Sequence, residues 1–155
     1  MNPYAKYLGG RDARAVIAET AARLAAEADR LGPEGLGRSP APGKWSAAQI
    51  LCHLADCEIA FGFRIRQTLA EDNPVAQPFD QEAWAKPYAQ LDPRAALAMF
   101  AAARRWNAAL LETVPPAGFD KKLTHPERGE MTLRTIVETM AGHDLNHLEQ
   151  LEGIR

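Results

Sequence analysis

The sequence predicts an all-α protein, a four-helix bundle in one domain over residues 1–155, and three observations lead there. Four long stretches carry apolar residues at three- and four-residue spacing. No alternating run of β-branched residues marks a strand. A chain of 155 residues is enough for one sizeable core, and amphipathic helices packed side by side are the default way to build it.

The first helix is expected from Asp12 to Leu31, rich in alanine, arginine and glutamate, with Val16, Thr20, Leu24 and Leu31 near one side. Gly32 and Pro33 end it, and the Gly- and Pro-dense linker that follows should be irregular. Ser46 then reads as an N-cap, with Gln49 at the capping-box position. The second helix runs from about Ala47 to Glu71, with Ile50, His53 or Leu54, Cys57, Phe61 and Ile65 as its stripe. Pro74, Pro78 and Pro87 break up the next segment, leaving room for a short helix from Asp80 to about Trp84. The third long helix spans about Pro93 to Val114, and Leu97, Phe100, Ala103, Asn107, Leu110 and Val114 share a face. A loop through His125 and Pro126 leads to the last helix, within Met131 to Gln150, where Thr132 is the N-cap. The connections between the first and second and the second and third helices exceed the usual few residues. They are expected to wall a site at one end of the bundle.

Composition excludes several classes. Hydrophobic residues at 46% and charged residues at 25% are ordinary for a globular domain. Eighteen basic against twenty acidic residues leave a net charge of −2, with no electrostatic pull toward nucleic acid or an anionic membrane. No apolar run approaches the roughly 18 residues of a membrane span. Cys52 and Cys57, five apart on one helix, point in different directions, so both thiols should be free, as in a reducing compartment. These features describe a cytoplasmic protein.

The chemistry lies in the histidines. There are four: His53, His125, His143 and His147. His143 and His147 stand about 40° apart on adjacent turns of the last helix, on the stripe that faces the core. His53 falls on the stripe of the second helix. Three inward imidazoles can supply three corners of a tetrahedron and leave the fourth open, which is the arrangement of a catalytic zinc site. The alternative is a bundle whose histidines are simply hydrogen-bonded core residues. Spacing alone does not decide between them, because the HxxxH pair lacks the glutamate of the HExxH metalloproteases and has Asp144 in its place. An HD doublet with a further histidine also points, more weakly, to helical HD phosphohydrolases.

Cys57 shares the face of His53 and is a fourth donor in reach, although small buried packing is the commoner role of such a residue. Asp56 is a candidate base, set against a solvent-exposed helix carboxylate. Gln150 and Asn107 are candidates to orient a ligand or substrate, since metal-bound imidazoles donate their other nitrogen to an acceptor. His125 is expected in a loop, with lining of the site entrance as the lesser reading, and Trp45 as a hydrophobic staple or core plug.

Two segments carry a resemblance. APGKWSAAQILCHLADCE is similar to the second-helix signature of the DinB-like (DinB/YfiT) superfamily, and THPERGEMTLRTIVETMAGHDLNHLEQL to its C-terminal signature, ending in H-D-x-x-H-x-x-Q. The motifs occur in the family's order and together cover essentially the whole chain. The resemblance implies a four-helix bundle, often a homodimer, that binds a divalent metal through three histidines, here His53, His143 and His147. Zinc or nickel fits best, and iron or manganese also fit. It implies either a metal-dependent hydrolase acting on a small-molecule substrate or a thiol transferase that uses a low-molecular-weight thiol. The other expectation is a non-catalytic, stress-related protein whose metal is structural.

Overall fold

A computed structural model describes residues 2–155. The elements in order are α1 (Ala5–Leu8), α2 (Ala13–Leu36), α3 (Ala47–Ala70), α4 (Gln81–Ala85), a 3-10 turn (Tyr88–Gln90), α5 (Pro93–Glu112), a second 3-10 turn (Pro116–Asp120), β1 (Lys122–His125), β2 (Gly129–Thr132) and α6 (Leu133–Glu152). The four long helices α2, α3, α5 and α6 form the expected bundle. Around its circumference they stand in the order α2, α6, α3, α5. The chain steps α2 to α3 and α5 to α6 therefore run across the diagonal, and a diagonal step must travel over the bundle end. That geometry requires long connections.

Local signals set the helix starts. Ser46 and Gln49 form the full capping box at α3. The Thr132 hydroxyl accepts the Thr135 N–H at α6, and Asp80 caps α4. Asp92 caps α5, with Pro93 in the first turn. At Gly32 the backbone turns to φ 62°, a conformation glycine adopts freely. There α2 kinks and makes one further turn to Leu36, where an irregular linker was expected to begin.

The expectation of no strand is corrected. β1 and β2 pair antiparallel in the register Lys122↔Thr132, Leu123↔Met131, Thr124↔Glu130 and His125↔Gly129. Leu123 and Met131 face one another on the buried side. Four-residue strands are too short for alternation to stand out in sequence. Met131 consequently lies in β2, and the last helix begins at Leu133.

The core divides in two. One part gathers Ile17, Phe61, Ile65, Leu111, Ile136 and Met140 with the hairpin's Leu123. The other gathers Leu24, Ile50, Leu54, Phe100, Leu148 and Leu151. Most of the helices' buried polar residues fall at the junction of these two sets, namely Thr20, His53, Glu58, Arg104, Asn107, His143, Asp144 and His147, while Arg64, Thr68 and Thr139 lie within the first. Arg104 of α5 ties this layer together. It donates to Glu58 of α3 at 2.8 and 3.1 Å, to Asp144 of α6 at 2.6 Å and to the Ile17 carbonyl of α2 at 3.1 Å. One side chain thus joins all four helices. Among the described residues no helix is long and apolar enough to cross a membrane.

Candidate metal centre

His53 on α3 and His143 and His147 on α6 meet in this polar layer, all buried. Their ring centroids are 5.1 Å apart for His53 and His143, 4.9 Å for His53 and His147, and 4.5 Å for His143 and His147. Trp45 lies against His53 at 4.8 Å, so it walls the cluster as well as entering the core. Tyr4, from the lead into α1, meets the His143 ring edge-on at 5.1 Å. Gly142 permits that approach, since a Cβ there would stand 2.5 Å from the Tyr4 carbonyl oxygen.

Burial, reinforced by His147, lowers the His53 pKa to about 3. Burial also pushes His143 well down, with His147 and His53 adding to the effect. His147 is lowered by burial against an opposing hydrogen bond from Gln150. All three rings are therefore neutral at pH 7, the state that ligates a metal.

The tautomers are informative. The Gln150 amide oxygen only accepts, so His147 Nδ1–H donates to it over 3.0 Å and leaves the Nε2 lone pair free. His53 Nε2 and His143 Nε2 face each other at 3.0 Å, and His143 Nδ1 is buried without a partner among the described residues. Whichever nitrogen of His143 carries its proton, Nδ1 stays unsatisfied, at about 1–3 kcal/mol.

Cys57 lies closer to this group than the packing role expected of it requires. Its Sγ is 3.4 Å from His53 Nε2 and 3.9 Å from His143 Nε2. Ligand atoms of His53, Cys57 and His143 all lie within 4.8 Å of one another. Around a tetrahedral ion with bonds of about 2.0–2.1 Å to nitrogen and 2.3 Å to sulfur, such atoms stand roughly 3.3–3.6 Å apart. The donor set fits a metal. The tightest trio, however, contains Cys57, and His147 stands beside it. Packing and ligation both use the stripe four residues on from His53, so spacing could not separate them. Burial, with Asp144 and Asp56 nearby, pushes the Cys57 thiol up.

The remaining candidates have other partners. Asp56 is half-buried and accepts the Tyr88 hydroxyl at 2.7 Å, which pins the 3-10 turn to α3. Asn107 donates to Glu58 at 2.8 Å and accepts from Arg66 at 2.6 Å, away from the imidazoles. Asp144 turns to Arg104. Gln150 alone of the three candidates touches a histidine.

His125 corrects the loop expectation. It ends β1, is buried, and lines a cavity of about 120 Å³ together with Tyr4, Cys57, Phe61, Arg64 and His143. Sequence reading passed over Arg64. Its signal was a charge on the apolar stripe of α3, seven residues after Cys57. A larger cavity, about 730 Å³, lies by α1 and Phe119 and contains no histidine.

The profile of the DinB superfamily matches residues 17–151. A protein of Oceanobacillus iheyensis named "putative metal-dependent hydrolase" is 28% identical over 125 residues, 80% of this chain and 73% of its own. Bacillus subtilis YfiT, named in the same words, is 28% identical over 140 residues, 88% of this chain and 78% of its own. A Bacillus mycoides relative of that name is 28% identical, and the chain spans 66% of its length. The solved structure of YfiT, described as "a probable metal-dependent hydrolase with an unusual four-helix bundle topology", superposes with a TM-score of 0.85 at 25% identity. It covers 90% of this chain and 82% of that one.

Proposed function

The chain belongs to the DinB superfamily, and from that premise we propose a cytoplasmic metalloenzyme whose divalent ion, zinc or nickel, is held by His53, His143 and His147. The observation that carries this reading is the meeting of three buried, neutral imidazoles in one polar layer, two of them with Nε2 atoms 3.0 Å apart. The free, buried cysteines fit a reducing compartment. When bound there, a divalent ion would lower the pKa of a water or small thiol and so supply a nucleophile at neutral pH. The protein's own groups do the rest. Gln150 holds the His147 tautomer, the Arg104 layer holds α3 and α6 in register, and Trp45 and Tyr4 keep bulk water from the rings. The reaction is hydrolysis of a small molecule, or transfer to a low-molecular-weight thiol.

Cys57 favours a second reading. If its sulfur joins the three nitrogens, the ion is closed off and serves structure alone, as in a stress-related binding protein. Cobalt substitution separates the two. An open position predicts no sulfur-to-metal charge-transfer band in thiol-free buffer; a band on adding a small bacterial thiol marks the transferase, and little change marks the hydrolase, which keeps water on the ion. A band present before any thiol is added, and lost in Cys57→Ser, would establish the closed centre.

The homodimer expected from the family resemblance belongs to the same reading. Phe63 and Trp106 are 60% and 70% exposed, apolar surface that a second copy would cover. Sedimentation at the single-chain mass of 17.0 kDa would remove this part of it.

A further inference from the structure

The cavity that borders the cluster is lined by two cations, Arg64 and Arg128, and one carboxylate, Glu127. Arg64 is only 8% exposed, yet among the described residues its one hydrogen-bond acceptor is the Gln77 carbonyl, 3.0 Å from Nη2. Among the described residues no carboxylate forms an ion pair with it, whereas the more deeply buried Arg104 has two. A guanidinium has five N–H donors. The unpaired nitrogens of Arg64 are not among the sealed, unsatisfied atoms of the protein, so they remain accessible. Burial costs the guanidinium part of its hydration, and Glu127 acts on it against a second cation, Arg128; accessible donors at the wall of a cavity with more cations than carboxylates suit an anion.

His125 supports the same conclusion. Its Nδ1 accepts the Glu127 N–H at 3.2 Å, so the neutral ring carries its proton on Nε2 as a donor. Burial lowers its pKa, and Arg64 and Arg128 lower it further, as a positive field does. Glu127 is the one carboxylate among the lining residues. Phe61, Phe79 and Pro78 supply apolar wall, and about 120 Å³ admits a group of only a few heavy atoms. A planar guanidinium matches a planar carboxylate in a two-pronged contact.

We infer that this cavity takes the carboxylate of a small organic acid, bound by Arg64 with His125 assisting, beside His143 and Cys57. That the bound acid is the substrate rests on the metalloenzyme reading; that the cavity binds it does not. The centre then acts on small carboxylic acids held by their charged end. Arg64 is a binding residue for the group that does not react.

The test titrates the protein, as purified and after chelation, with propionate, with the uncharged isostere propionamide and with inorganic phosphate, following amide shifts by NMR. Propionate should saturate a site around residues 57–64 and 125–128 with or without metal, and propionamide should bind at least about tenfold more weakly. Arg64→Gln should weaken propionate by about tenfold or more, and Arg64→Lys, which keeps the charge and loses the fork, by less. Should Arg64→Gln fail to fold, Arg64→Lys and the propionamide contrast decide. Equal binding of acid and amide overturns the inference, and so does tighter binding of phosphate. Propionate that binds only with metal present and ignores Arg64 also overturns it while leaving the metal centre standing. Arg64-dependent binding in a protein that takes up no metal sustains the anion site and removes the metalloenzyme reading.

Discussion

Arg104→Met should destabilise the protein by about 3–5 kcal/mol, the range for breaking a buried ion pair from one side. Glu58 and Asp144 are each 1% exposed, and the variant would leave two carboxylates in the core with no cation. Burial by itself would lower the Arg104 pKa, but Asp144 and Glu58 outweigh it and hold the guanidinium charged. The loss should appear in urea unfolding at pH 7 as a lower midpoint with an unchanged slope. Replacing all three residues by apolar ones should recover much of it, because an apolar replacement removes the desolvation penalty together with the attraction. The polar layer would then be an organiser of the site more than a source of stability. A loss below about 1 kcal/mol for Arg104→Met would mean that the three groups do not act as one network.

His53→Ala, His143→Ala and His147→Ala should each abolish the stabilisation that added zinc gives, while His125→Ala keeps it. At a metal concentration a hundred times the dissociation constant, binding stabilises the native state by about 2.7 kcal/mol. Removing one of three ligands should leave little of that shift in the melting temperature. His125 serves as the control because it faces the neighbouring cavity, and its Nδ1 is engaged by Glu127. A His147→Ala protein that still responds fully, beside a Cys57→Ser protein that does not, would replace the ligand set with His53, Cys57 and His143. The fold itself should survive without metal, since its two apolar clusters, formed by the helices with the hairpin's Leu123 and Met131, are core enough for a chain of this length.

Helix boundaries were legible where chemistry marks them. Ser46 with Gln49, and Thr132, announce their helices because capping is local, decided within four residues. The histidine face was legible because helical period alone puts His143 beside His147, and an apolar stripe carries His53 inward. What escaped depends on contacts far apart in the chain. Nothing near Arg104 indicates that Glu58, 46 residues away, and Asp144, 40 residues away, will enclose it. The β1–β2 hairpin is held by a four-residue register and by one buried pair, Leu123 with Met131, too little to shape a periodic pattern. Arg64 and His125 become neighbours only when the hairpin closes over α3. The role of Cys57 stayed open for another reason: ligation and packing both use the same stripe.

Elemental analysis of the wild-type protein, purified without a nickel column and before any metal is added, tests the central claim most directly. The account predicts about one divalent ion per chain, zinc or nickel, as a single three-histidine site holds. Protein that emerges folded with less than about a tenth of an ion per chain, and takes up none from a stoichiometric zinc solution, would contradict it.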